Sequence, residues 1–189
     1  MVEFAIADTK IKISFLFVSL LSLLSLLDRS GSIFLSVIFS FLHELGHIIA
    51  VTICKGRIDE LCFHPYGIAM KLSAVFTPLK ELFVLVSGCA VNLIFLPFSN
   101  GIIYYINLAM FLFNILPIGS LDGGRVLQIL LSWLFGDRAS KVTLIISFLL
   151  LLPLSSVGFY LAITTKQPTL LVCSLYLATT MIIKREKLF

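Results

Sequence analysis

From Ile33 to Ile53 the chain is apolar for the thickness of a bilayer, yet the middle of that stretch reads His43-Glu44-Leu45-Gly46-His47. A carboxylate and two imidazoles at such depth are costly unless they face protein or water, and they mark function by default. About 20 apolar residues cross the hydrocarbon core, so the stretch predicts a spanning helix. Four residues apart on that helix, the two histidines share a face. With a glutamate beside them they have the spacing of zinc hydrolases, in which the imidazoles bind the ion and the carboxylate acts on its water. Ser36 and Ser40 extend the same face into a polar stripe with His43 and His47. A buried polar helix interface, or a proton relay without metal, is the plainer alternative for that stripe.

The surroundings agree with a bilayer. Of the 189 residues 59% are hydrophobic and 13% charged, against about 25% charged in soluble domains. The fold class expected is therefore an all-α polytopic membrane protein, a single domain over residues 1–189. Six spans are predicted: Ile11–Leu27, Ile33–Ile53, Leu82–Phe98, Ile102–Leu116, Val142–Ile163 and Thr169–Ile183. Val126–Phe135 is apolar but too short, which suits a re-entrant segment. A cleaved signal peptide is not expected, because Leu26-Leu27-Asp28-Arg29 is a poor cleavage site. With both termini cytoplasmic, as in a bacterial inner membrane, only Arg29 and Lys166 of the 14 Lys and Arg residues fall outside, the bias that orients membrane proteins. That explains the net charge of +4 without nucleic acid. The four cysteines, Cys54, Cys62, Cys89 and Cys173, lack paired spacing and read as reduced thiols.

Between the second and third spans, Arg57–Phe63 and Ile68–Leu72 flank His64-Pro65-Tyr66-Gly67, a hairpin signature. Its Phe63, His64, Tyr66 and Gly67 are candidate substrate-binding positions. A zinc hydrolase usually has three protein ligands, and Asp122 is the outstanding candidate for the third. It follows the fourth span in Asn114-Ile115-Leu116-Pro117-Ile118-Gly119-Ser120-Leu121-Asp122-Gly123-Gly124-Arg125, where Pro117 ends the helix and the glycines permit tight turns. Alone, Asp122 would read as an ordinary surface Asp-Gly turn. In the third span Gly88 and Asn92 share a face, so Asn92 is either a helix-packing group or one that touches substrate or a developing oxyanion. Asn107 and Asn114 on the fourth span carry the same ambiguity.

Taken together, HELGH in the second span, Gly88 and Asn92 in the third, and the Asn114–Pro117 and Leu121–Arg125 motifs resemble the site-2 proteases. These are intramembrane zinc metalloproteases of peptidase family M50. The resemblance covers a core of about residues 33–135. It implies one Zn2+ held by His43, His47 and Asp122, with Glu44 as catalytic base and Asn92 holding the substrate or intermediate. It also implies a membrane-associated β-hairpin within Cys54–Glu81 that pairs with an unwound substrate. The chain is most similar to the sporulation stage IV subfamily, which processes a membrane-tethered sigma-factor precursor and is a candidate for control by an inhibitory membrane protein. It departs from the family in having Cys89 where a proline commonly follows the glycine of the third-span motif. The competing function is a membrane metal-binding or metal-transport protein using the same ligands. One ligand cluster and the absence of an internal repeat weigh against transport, as does Glu44, which a simple metal site does not need.

Overall fold

The computed structural model describes residues 2–6, 9–28, 31–64, 67–73, 76–166 and 168–186. The chain divides into two compact units, Met1–Leu112 and Phe113–Phe189.

The first unit opens with strands β1 (Val2–Ile6) and β2 (Thr9–Ile13), followed by helices α1 (Phe15–Leu27) and α2 (Ser32–Ile53). Strands β3 (Ile58–His64) and β4 (Gly67–Leu72) come next, then α3 (Pro78–Phe95). A short 3-10 turn at Leu96–Phe98 leads to α4, Gly101–Asn114. The predicted hairpin is present, with Phe63 opposite Ile68 and His64 opposite Gly67. Pro65 and Tyr66 lie outside the described residues. Two expectations are corrected. The hairpin is half of a four-stranded sheet in the order β1-β2-β3-β4, so the fold is not purely helical. In addition, Ile11–Leu27 is not one helix, because Thr9–Ile13 is a strand and α1 has only 13 residues. The reason lies in Thr9-Lys10-Ile11-Lys12-Ile13, whose period-two alternation suits a half-covered strand. Strand β2 runs parallel to β3, pairing Lys10 with Glu60 and Ile13 with Phe63. Parallel neighbours need a long crossover, here supplied by α1 and α2.

Helix α2 has 22 residues, about 33 Å at 1.5 Å per residue. Asp28 Oδ2 accepts from the Ile33 amide at 2.6 Å, satisfying a donor the first turn leaves open. At its other end the Lys55 amide donates to Thr52 and the Gly56 amide to Val51, with Lys55 at φ 59. That is a Schellman close, built on lysine where glycine is the usual residue. Beyond it, Ala50, Val51 and Val84 form a small core with Cys54, Ile58 and Phe76. Pro78 starts α3 at a first-turn position where its missing amide costs nothing.

The second unit contains α5 (Asp122–Phe135), a 3-10 turn at Gly136–Arg138, α6 (Ala139–Thr164) and α7 (Thr169–Glu186). Ile118, Leu151, Leu177 and Met181 are its buried core, with Phe113, Leu116 and Leu144 packed around them. Gly158 lets α6 approach the backbone of Leu171 on α7. Among the described residues, three helical stretches are long and apolar enough to cross a membrane: Ser32–Ile53, Pro78–Phe98 and Asp122–Thr164. Gly101–Asn114 and Thr169–Met181 are apolar but shorter.

Outside the spans, the sheet is tied across its strands by charge. The Glu60 carboxylate receives Lys12 at 2.6 Å, Lys71 at 3.2 Å and the Cys62 thiol at 3.1 Å. The Lys12 hydrogen bond, then those of Cys62 and Lys71, lower its pKa from the usual 4.5 to about 2. A carboxylate depressed in the folded state stabilises that state fully above its unfolded pKa and loses the effect as pH falls toward the folded value. The midpoint of thermal unfolding should therefore drop faster between about pH 5 and 3 in the wild type than in Glu60→Gln; parallel slopes would show that Glu60 does not tie the strands.

Candidate metal centre

Helix α2 presents its buried face at Phe39, His43, Gly46, His47, Ala50 and Val51. This corrects the expected serine stripe. Ser40 is exposed and Ser36 returns its hydroxyl proton to the Ser32 carbonyl at 2.8 Å, so neither needs a buried partner. The histidines do lie inside, 4% and 5% exposed. Neighbouring α3 is brought against them by glycines on both helices. A Cβ on Gly46 would lie 2.7 Å from Val91 Cγ2 and 2.9 Å from the Ser87 carbonyl. A Cβ on Gly88 would strike the His47 ring and stand 2.8 Å from His43 Cε1. Small residues that let backbones approach are the usual means of helix packing in membranes. Here they also leave the volume that the two imidazoles fill.

Each ring has a partner on its inner nitrogen. His47 Nδ1 lies 2.7 Å from the Val84 carbonyl. That oxygen can only accept, so Nδ1 carries the proton and Nε2 keeps its lone pair. The Val84 carbonyl also receives the Ser87 hydroxyl at 2.6 Å. His43 Nδ1 lies 3.2 Å from the side-chain amide of Asn92, which is fully buried. The two Nε2 atoms then face one another 3.2 Å apart, with the rings edge to face. Ligand nitrogens about 2.0–2.1 Å from a tetrahedral zinc stand about 3.3 Å apart. The pair therefore has a spacing compatible with two ligands on one ion, and the same distance serves an N–H···N hydrogen bond between the rings. Glu44, half-buried, is the next residue along α2.

Asp122 belongs to the second unit. It is the first residue of α5, after a turn closed by bonds from the Ile118 amide to Leu116 and from the Leu121 amide to Ile118. Ser147 on α6 pins that turn: its buried hydroxyl accepts from the Gly119 amide at 2.9 Å and donates to the Thr143 carbonyl at 2.6 Å. The role expected for Gly123 and Gly124 is corrected. Both are helical, not turn residues. They are small because Cβ atoms there would collide with the carbonyls of Ile115 and Ile118. Sequence reasoning gave no role to Ser147, Ser87 or Val84; Ser147 and Val84 lie outside the motifs, and a backbone carbonyl leaves no residue signature. Asn107 is fully buried with its nitrogen on the Ile103 carbonyl at 3.0 Å and its oxygen unpaired, and Asn114 is half-buried. Phe63 packs on Phe17, ring centres 5.9 Å apart, while His64 ends β3.

Residues 98–154 match peptidase family M50. The solved structure of a site-2 protease from Methanocaldococcus jannaschii is similar over 93% of this chain and 91% of its own, with a TM-score of 0.61 and 22% sequence identity. That likeness establishes a common fold. No curated protein matches.

Gly88→Ala tests the space reserved for the rings. Its methyl would displace His47, so the affinity for a divalent metal ion in a chelator competition should fall by about 10-fold or more, the scale of disturbed ligand support. Retention equal to that of the wild type would show that the rings do not depend on Gly88.

Proposed function

We propose that the chain is an intramembrane zinc metalloendopeptidase that hydrolyses a peptide bond within or next to the bilayer in a membrane-tethered protein. The observation that carries the reading is the pair of buried imidazoles whose Nε2 atoms converge at 3.2 Å on a helix long enough to span, with Glu44 beside them. The match of residues 98–154 to a peptidase family and the site-2 protease fold support it.

His43 and His47 would hold the ion, with Asp122 as third ligand, a set of two imidazoles and one carboxylate common to catalytic zinc. Bound zinc supplies positive charge that acidifies water and polarises the scissile carbonyl. Glu44 takes the proton of the attacking water and passes it to the departing amine, so that one carboxylate serves both halves of the reaction. The substrate must lie extended for its peptide bond to be reached. In the hairpin, β3 is covered by β2 on one side, which leaves β4 as the strand along which a peptide could add; Phe63, His64, Tyr66 and Gly67 are the side chains and backbone we propose to meet it. A sigma-factor precursor, held in check by an inhibitory membrane protein, is the substrate we favour, with both termini cytoplasmic in a bacterial inner membrane on the Lys and Arg distribution.

Purified wild type should contain one zinc per chain and cleave a membrane-tethered substrate. Glu44→Gln should keep the metal and lose about 100-fold or more in rate, and Asp122→Ala should lose metal. Cleavage by Glu44→Gln at the wild-type rate sinks the mechanism; full zinc affinity in Asp122→Ala removes the third ligand alone.

A further inference from the structure

For both histidines to offer Nε2 to a metal, each must carry its proton on Nδ1. His47 meets this requirement through the Val84 carbonyl, 2.7 Å from Nδ1. His43 does not, because the group facing its Nδ1 at 3.2 Å is the amide nitrogen of Asn92. A donor there makes Nδ1 the acceptor and moves the ring proton to Nε2, closing that nitrogen to an ion. In the same arrangement Asn92 Oδ1 is buried with no partner, which is a costly state for a carbonyl oxygen.

A single half-turn of the amide resolves both. Oxygen and nitrogen exchange places in nearly the same volume, Oδ1 then accepts from His43 Nδ1–H, and Nε2 is freed beside that of His47. We propose that in the metal-loaded protein Asn92 is turned this way, and that it is a positioning residue for His43, setting its tautomer and ring orientation as Val84 does for His47. The inference rests on the zinc centre proposed above. It gives the third-span asparagine a role through the metal ligand, which an oxyanion donor would not have. The amide's own N–H bonds then point away from the ring and remain able to meet a carbonyl.

The test uses the full chain in detergent. Zinc affinity is measured by chelator competition for wild type, Asn92→Leu and Asn92→Asp. Leucine fills the space but cannot accept, so affinity should fall by about 10–100-fold; aspartate can accept and should stay within a few-fold of wild type. Nitrogen NMR of histidine-labelled, zinc-loaded wild type, with only three histidines to resolve, should show His43 protonated on Nδ1 and bound through Nε2. This measurement stands even if Asn92→Leu does not fold. Unchanged affinity in the leucine variant, an equal loss in the aspartate variant, or a His43 protonated on Nε2 in loaded protein overturns the proposal while leaving the metal centre intact. Absence of zinc from the wild type overturns the centre and this inference together.

Discussion

Everything around the histidines depends on how closely α3 approaches α2. Gly46 and Gly88 let the two backbones meet where any side chain would collide with Val91, Ser87 or the rings themselves. That approach does three things at once. It removes His43 and His47 from lipid, and it brings the Val84 carbonyl and the Asn92 amide within reach of their inner nitrogens. It also turns the outer nitrogens toward each other. In lipid there is little hydrophobic gain from joining helices, so packing and polar contacts must supply the association. Here the polar contacts and the site are the same atoms.

The second unit applies the same economy of space to its acidic motif. Gly123 and Gly124 admit the carbonyls of Ile115 and Ile118, and Ser147 ties the turn to α6 from the other side. Asp122 therefore begins its helix after a turn held by backbone and Ser147 contacts.

The motif residues were legible because chemistry restricts their identity. His43, Glu44 and His47 stood out against an apolar run, and the hairpin showed through its turn residues. Less visible was the start of the chain, where the apolar residues of Ile11–Leu27 hid a strand alternating lysine with isoleucine. A hydropathy window averages over that alternation. Parallel pairing of β2 with β3 was unreadable too, since the partners lie about fifty positions apart and neither strand encodes the other. The serine stripe misled for a different reason: a hydroxyl can satisfy itself on its own helix, so its polarity need not specify a face. Val84 acts through a backbone atom, and nothing in a sequence distinguishes one carbonyl from the next.

The parallel pairing also sets an order of assembly. Strands β3 and β4 are neighbours in sequence and can pair as soon as they are made, but β2 must wait until the whole of α1 and α2 has been laid down before Lys10 can meet Glu60. Contacts that close long loops come late. The N-terminal strands can therefore join β3 only after the histidine-bearing helix has been synthesised, and the Lys12–Glu60 pair ties the two ends of that long crossover. Until it closes, β3 has an open edge on that side, and any extended segment nearby competes for it.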